Sequence, residues 1–190
     1  MQAYRQGIFP WPHEGYPLLW FSPDPRAILN FDSLHIARSL ARIRRRMLRE
    51  GWTVTVDKAF PEVIALCSRV PRPGQSGTWI TPQIKEAYVQ LHRLGHAHSV
   101  ETWREGILLG GIYAVDAGGA FAAESMFYLE SNASKLALLG LVDYLKERGL
   151  EWLDIQMLTP HLQSLGACEI PRGVFLNKLA AALERGLKLF

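Results

Sequence analysis

Hydrophobic and polar positions divide the chain into an irregular beginning and a regular remainder. From residue 31 onward, apolar residues recur at helical or alternating spacing, and glycines and prolines separate the runs. Helical spacing predicts helices at 33–49, 59–68, 82–94, 132–149 and 172–184, and a helical turn at 161–165. Alternating or short apolar runs predict strands at 52–56, 97–103, 107–115, 120–128 and 150–155, with a loop at 70–77.

The order of these elements predicts an α+β fold. Three consecutive strands joined by short turns form an antiparallel meander, and a helix capped by Asn132 and a further strand follow it. This order resembles the GNAT acyltransferase fold, a mixed sheet flanked by helices. GNAT enzymes hold the CoA pyrophosphate on a glycine-containing loop where the helix after the meander begins. Residues 129–135 contain no glycine there and include Glu130, so we do not expect acetyl-CoA to bind.

Residues 1–30 are of a different kind. They hold five prolines and six aromatic residues, too many prolines for one helix and too many aromatics for a linker. We expect residues 1–30 to be the remnant of a small N-terminal domain. Residues 31–190 are then the main, GNAT-like domain.

The overall composition is that of a globular protein of ordinary domain size. The 190 residues are 48% hydrophobic and 21% charged. No apolar run approaches the length of a membrane span, and the first residues lack the apolar core of a signal peptide. Cys67 and Cys168 make no disulfide framework. These features favour the cytoplasm and no membrane partner.

The positive charge is concentrated in one segment. Of the 21 basic residues, six lie in a twelve-residue stretch that contains no acidic residue. The rest of the chain has 15 basic and 18 acidic residues. Guanidinium groups bind phosphate oxygens in bidentate fashion, so this Arg cluster is predicted to bind phosphate groups; a solvated helix face is the alternative. The members of the Arg cluster are Arg38, Arg42, Arg44, Arg45, Arg46 and Arg49.

Eight short motifs occur in order along the chain. They are Gly-Ile-Phe-Pro-Trp at 7–11, Trp-Phe-Ser-Pro-Asp-Pro-Arg at 20–26, Gly-Thr-Trp-Ile at 77–80, Gly-His-Ala-His-Ser-Val-Glu at 95–101, Gly-Gly-Ile-Tyr at 110–113, Glu-Ser-Met-Phe at 124–127, Asn-Ala-Ser-Lys at 132–135 and His-Leu-Gln-Ser-Leu-Gly-Ala at 161–167. Together they resemble the bacterial leucyl/phenylalanyl-tRNA–protein transferase family, from about residue 3 to residue 175. The resemblance implies transfer of Leu or Phe, with Met as a further candidate, from tRNA to the N-terminal Arg or Lys of a protein. That transfer marks the protein for degradation by the N-end rule pathway.

The chain departs from the family pattern in two places. It begins close to the first motif, so the N-terminal domain is expected to be truncated. The family's usual Asp-Cys-Gln is Asp154-Ile155-Gln156 in this chain, which keeps both polar residues.

Asp154 and Gln156 are the predicted catalytic pair. Residues i and i+2 of a strand point to one face, so the two side chains could together hold and deprotonate the acceptor amine. An aminoacyl-tRNA is an activated ester, so the transfer needs no ATP, metal or redox cofactor. An α-amino group with a pKa of about 7.7–8.0 is already about one tenth neutral at pH 7, which leaves the base little to do. A structural pair at a strand end is the alternative interpretation.

Glu124 is the predicted binding site for the cationic acceptor residue. It lies in an otherwise apolar strand, where a carboxylate is costly unless it is paired. A structural acid paired with Lys135 is the alternative.

The donor amino acid and the terminal adenosine also have candidate residues. The resemblance places six apolar residues around the donor side chain, and Met126 would suit both Leu and Phe; plain core packing is the alternative. The six are Ile112, Met126, Leu138, Leu141, Leu153 and Ile155. Trp11 and Trp79 match the family positions that sandwich adenosine, and otherwise they are buried anchors.

Other catalytic and metal sites find little support in the sequence. His92 and His96 have helical spacing, but residue 93 is Arg where a zinc protease needs Glu, and His98 falls on the next strand, so no metal is expected. Gly-x-Ser-x-Gly and Walker motifs do not occur. The sequence therefore predicts a cofactor-free aminoacyltransferase. The alternatives are a non-catalytic module that binds the aminoacyl-tRNA 3′ end and, less favoured, a CoA-dependent N-acyltransferase.

Overall fold

The computed structural model describes residues 1–13, 15–70 and 78–190, so nearly all of the predicted loop at 70–77 lies outside the described residues. The helices are α1 (Gln2–Arg5), α2 (Arg38–Arg49), α3 (Phe60–Arg69), α4 (Pro82–Arg93), α5 (Ala133–Lys146), α6 (Pro160–Ser164) and α7 (Arg172–Arg185). The strands are β1 (Phe9–Pro10), β2 (Trp20–Phe21), β3 (Arg26–Asn30), β4 (Thr53–Val56), β5 (Ala97–Arg104), β6 (Ile107–Asp116), β7 (Phe121–Tyr128), β8 (Trp152–Gln156) and β9 (Cys168–Ile170). None of the helices in these described ranges is long and apolar enough to cross a membrane.

One mixed sheet organises the described part of the chain, in the strand order β4-β5-β6-β7-β8-β3-β9. All neighbours are antiparallel except β7 and β8, which are parallel and connected through α5. A small antiparallel pair, β1 and β2, precedes the sheet. The predicted α+β class, with its meander, helix and returning strand, is confirmed.

The sheet buries a separate apolar core on each face. Ile28 and Trp152 belong to the core formed with α1, α3, α4 and α7. Their chain neighbours Leu29 and Leu153 belong to the core formed with α5. This alternation is the period-two pattern of a strand covered on both sides, and it gives the sheet two distinct faces.

One predicted helix start is wrong, and one predicted helix cap lacks its side-chain hydrogen bond. The helix predicted at 33–49 begins at Arg38, because residues 34–37 are not helical after a 3₁₀ turn at Phe31–Ser33 and the His35 backbone N–H donates to Leu165 O at 2.9 Å. Asn132 precedes α5 with a left-handed φ of 70°, but its side chain donates to Ser131 Oγ and forms no cap. Tertiary hydrogen bonding and a local turn override the sequence signals here.

The N-terminal segment is more regular than its composition suggested. Residues 26–30, on the N-terminal side of the predicted boundary, form β3 and lie between β8 and β9 in the large sheet. The sequence also missed β9. Both strands are short and pair with segments distant in sequence, so neither carries a strong local signal.

Candidate active site

Two register shifts lie beside the one bridge recorded between β7 and β8, the pair Ala122 and Asp154. In β7, Glu124 has no partner residue on β6, and in β8 Ile155 has none on β3. A bulge inserts an extra residue and redirects the side chains next to it. The two bulges therefore place irregular backbone at the same point of the sheet, where the candidate polar residues occur.

Asp154 is held by a buried arginine that the sequence analysis missed. Arg26 Nε donates to Asp154 Oδ1 at 2.8 Å, and Arg26 Nη2 donates to Oδ2 at 2.6 Å. The Arg26 side chain is 1% exposed and that of Asp154 9% exposed. The sequence does contain one signal for this pairing, because Arg26 directly precedes the apolar residues Ala27-Ile28-Leu29. A charged residue buried with such a run needs a partner of opposite charge.

Gln156 ends β8 in a left-handed conformation, with φ 57°. Its backbone N–H donates to Asp154 Oδ1 at 3.0 Å, so the structure joins the predicted pair through this hydrogen bond. The bulge at Ile155 breaks the simple alternation from which we expected the two side chains on one face. The Gln156 side-chain Nε2 is buried and finds no hydrogen-bond partner within the described residues. A buried polar group of this kind is available for a substrate.

Glu124 accepts hydrogen bonds from two tyrosines. Tyr4 Oη donates at 2.8 Å and Tyr88 Oη at 3.3 Å, and the two hydroxyls are also hydrogen-bonded to each other. In the described part of the chain, no hydrogen bond or ion pair joins Glu124 to Lys135, which was the structural alternative. The carboxylate therefore sits at the end of a small hydroxyl cluster.

Burial dominates the electrostatics of this cluster. Although part of the residue is exposed, the pKa of Glu124 is raised to about 8, mainly by desolvation of its carboxyl and to a lesser extent by nearby Asp154, against the lowering effect of the tyrosine hydroxyls and Arg26. Burial also raises the pKa of Tyr4 and of Tyr88, with the charge of Glu124 adding to it. At neutral pH the cluster therefore favours a protonated Glu124.

The six candidate donor-pocket residues lie together on the α5 face. Five are buried members of one core, and Met126 packs against that core from a partly exposed position. Ile112 and Met126 are opposite each other on β6 and β7. Whether they enclose a donor side chain stays a prediction, and packing alone explains their burial equally well.

Trp11 and Trp79 contact each other. Their rings stack with centroids 5.4 Å apart and an angle of 15° between the planes. Phe9 packs edge-on against Trp11, and Tyr88 packs edge-on against Trp79. Van der Waals contact on both faces of a base requires rings about 7–8 Å apart, so an adenine between the two indoles would have to separate them.

The Arg cluster lies on α2 and is mostly exposed. Arg44 differs from the others, because it forms an ion pair with Asp143 of α5 and is tied to the body of the protein. Arg46 lies 3.7 Å from Glu50 on an exposed surface, where such pairs are weak. Arg45 and Arg49 donate through Nε to backbone oxygens one turn earlier, and neither forms an ion pair with another residue that the structure describes.

One group of residues has the spacing of metal ligands. Asp57, His92 and His98 each offer a ligand atom, and these atoms lie within 4.8 Å of one another. His98 Nδ1 is 2.7 Å from Asp57 Oδ2, and His92 Nδ1 is 2.8 Å from Ala97 O. Both Nδ1 atoms thus have oxygen partners already, which favours a hydrogen-bonded cluster. His96, the third histidine considered from sequence, is not part of the group.

Comparison with known families gives a consistent match. A family model described as leucyl/phenylalanyl-tRNA protein transferase matches residues 28–180. A second model, described as the N-terminal domain of the same proteins, matches residues 1–24. The two matches together span most of the chain.

Curated relatives agree with the family models. Proteins of Maridesulfovibrio salexigens, Myxococcus xanthus and Stutzerimonas stutzeri, each named leucyl/phenylalanyl-tRNA–protein transferase, are 54%, 50% and 50% identical to this chain. Each alignment covers 97% of this chain and 76%, 77% and 80% of the relative. A solved ribosomal-protein-alanine N-acetyltransferase from Brucella melitensis biovar Abortus 2308 is 14% identical with a TM-score of 0.42, over 58% of this chain and 82% of that one. That score indicates a partial likeness only.

Proposed function

The chain belongs to the leucyl/phenylalanyl-tRNA–protein transferase family of aminoacyltransferases, which use aminoacyl-tRNA and protein substrates, and we propose that it moves Leu or Phe to an N-terminal Arg or Lys. The observation that carries the proposal is the polar cluster of Glu124, Asp154 and Gln156 around two bulged strands. It offers a carboxylate for a cation and an amide for the reacting groups. The tagged protein is then a substrate for N-end rule degradation, in the cytoplasm.

The acceptor binds through Glu124. An N-terminal Arg or Lys brings a positive side chain, and the ionised carboxylate is its partner. The hydroxyls of Tyr4 and Tyr88 donate to that carboxylate and stabilise its charged form once the cation is present. With a neutral acceptor residue Glu124 would stay protonated and no ion pair would form.

The amide of Gln156 contacts the reacting groups. Both oxygens of Asp154 already accept hydrogen bonds, from Arg26 and from the Gln156 backbone, so Asp154 acts by holding Gln156. The Gln156 carbonyl orients the acceptor amine, and its free N–H donates to the ester carbonyl oxygen as negative charge develops there. The neutral amine nitrogen attacks the ester carbonyl carbon and forms the new amide bond, the ester C–O bond breaks, and the ribose oxygen leaves with the proton that the amine loses.

The donor amino acid lies on the α5 face of the sheet, and the adenosine lies on the other face, which also holds Tyr4 and Tyr88. The six apolar residues around Ile112 and Leu153 receive the Leu or Phe side chain, Trp11 and Trp79 part to stack on the terminal adenosine, and the exposed members of the Arg cluster contact the tRNA backbone. The segment before residue 31 contributes Trp11 as a small N-terminal domain, and the GNAT-like remainder carries the catalytic residues. No cofactor takes part.

The test is transfer of labelled amino acids from charged tRNA to short peptides. We expect labelling of Arg-starting and Lys-starting peptides by Leu and Phe, and none of Asp-starting or N-acetylated Arg peptides. Binding of charged tRNA without any labelling would instead favour a non-catalytic binding module. Acetyl-CoA that shifts the Tm and acetylates the peptide would favour the CoA-dependent alternative.

A further inference from the structure

Arg26 makes an unusually complete set of contacts for a buried charge. It is 1% exposed, and its Nε and Nη2 form a two-point fork with the Asp154 carboxylate. Its Nη1 donates to Gly7 O at 3.1 Å. One guanidinium therefore links β8 to the segment that precedes the large sheet. A lysine could not reproduce this, because an ammonium is a compact charge without a planar fork.

Two aromatic rings hold the same guanidinium. Arg26 Cζ lies 4.8 Å from the Phe9 ring centroid and 4.5 Å from that of Phe175. These cation–π contacts fix the plane of the group and keep water from it. Phe9 in turn packs edge-on against Trp11 at 6.1 Å. Arg26 thus lies between the candidate catalytic pair and a candidate adenosine residue.

We propose that Arg26 is a positioning residue for aminoacyl transfer, acting through Asp154 on Gln156. The fork fixes the carboxylate, and Asp154 Oδ1 holds the backbone N–H of Gln156. A residue other than glycine keeps a left-handed conformation only where its surroundings impose it, and Gln156 has φ 57°. Arg26 therefore determines where the free amide of Gln156 lies. This inference rests on the proposed function, since it assigns no new substrate.

The charge of Arg26 has a second consequence for the acceptor. Paired with Arg26, Asp154 is unavailable to the cationic N-terminal residue of the acceptor. Glu124 is then the carboxylate left to receive that residue. Without Arg26, Asp154 would compete for the same cation and hold the acceptor in an unproductive position. Loss of Arg26 is therefore expected to lower kcat without raising the acceptor KM.

The first test is Arg26→Lys in the full chain, assayed for Leu transfer to an Arg-starting peptide. A displacement of the reacting groups by about 1 Å costs on the order of a hundredfold, so we expect kcat to fall by about tenfold to a hundredfold. The acceptor KM should stay within about threefold of wild type or fall. Unchanged kcat in a folded Arg26→Lys protein overturns the proposal.

Arg104 provides a matched control. It donates to Glu130 Oε1 at 3.0 Å and lies 5.7 Å from the centroid of the Trp52 ring, so it too combines a carboxylate with an aromatic ring. Arg104→Lys should leave kcat and KM unchanged. An equal loss of kcat in both variants would indicate a general effect of the substitution and would also overturn the proposal.

The second test removes both charges and so avoids a lone buried ion. Arg26→Gln, Asp154→Asn and the double variant form a cycle, with the Tm of each recorded. If Arg26 acts through Asp154, the double variant has the kcat of Asp154→Asn to within about threefold. Losses that multiply would show an independent role and contradict the proposal, as would failure of every Arg26 variant to fold. A wild-type protein that transfers nothing refutes the proposed function itself, which separates the two failures.

Discussion

Acceptor binding should depend on pH through Glu124. The pKa of Glu124 is raised to about 8 by burial, so about one tenth of the free protein carries the ionised carboxylate at pH 7. A cation pairs only with that fraction, which weakens its apparent affinity at pH 7 by about tenfold, or about 1.4 kcal/mol. Below neutrality, the affinity for the cationic acceptor should therefore rise about tenfold for each unit by which the pH increases. It should level off above a pH of about 8.

The assay must separate this effect from ionisation of the acceptor α-amine. We suggest a des-amino-arginine peptide, which keeps the guanidinium and has no α-amine, as a competitive inhibitor of Leu transfer. The inhibition constant of this peptide should fall about tenfold per pH unit up to neutrality. The matching des-amino-citrulline peptide has a neutral side chain, and its inhibition constant should not change with pH. In Glu124→Gln the arginine analogue should bind weakly at every pH. A flat profile in wild type, or an unchanged slope in Glu124→Gln, would refute the reasoning.

The same ionisation affects stability. Because the folded-state pKa of Glu124 is raised from 4.5 to about 8, the stabilisation from its protonated form is complete below the lower value and lost above the upper one. The free energy of unfolding of wild type should therefore fall, relative to Glu124→Gln, as the pH rises through this window. Glu169→Gln, at an exposed position of β9, is the control and should run parallel to wild type. Parallel melting profiles for wild type and Glu124→Gln would contradict this pKa.

Three other variants test the rest of the site. Asp154→Asn should lower kcat by about a hundredfold because Gln156 is no longer held in place, and it should also destabilise the fold by about 3–5 kcal/mol because Arg26 loses its counter-ion; normal transfer and stability would remove Asp154 from the site. Arg45→Gln with Arg49→Gln should weaken tRNA binding and reduce its salt dependence by up to about two phosphate contacts, with no effect on a puromycin-like fragment; equal loss for both ligands would assign these residues to the fold. Ile155→Ala should admit Ile as a donor while the rate with Leu stays within about tenfold, as measured with the two charged tRNAs; collapse of Leu transfer without Ile transfer would make Ile155 a core residue.

The sequence predicted the elements whose signals are local. The helix that begins at Pro82, the three-strand meander and the apolar stripe of α5 all depend on residues close together in the chain, and the structure confirms them. The strand β3 could not be predicted in this way. It has five residues, follows a proline-rich segment, and is defined by β8 and β9, which lie more than a hundred positions away.

In the candidate site, too, the sequence indicates features with a local signal and does not indicate those that depend on distant residues. The candidates Asp154, Gln156 and Glu124 can be selected from the sequence because they are polar residues in apolar strands and because motifs of the chain match a family. The pairing of Asp154 with Arg26 could not be found, since it joins residues 128 positions apart. The bulges at Glu124 and Ile155 are likewise properties of strand register, which periodicity alone does not specify.

Product identification after a single round of transfer tests the central claim most directly. The protein is incubated with Leu-tRNA and an Arg-starting peptide, and both products are followed by mass spectrometry and by tRNA deacylation. The account predicts a peptide lengthened by one Leu, joined to the α-amino group, with one tRNA deacylated for each peptide formed. Deacylation without a lengthened peptide, or Leu attached at any position other than the α-amino group, would contradict it.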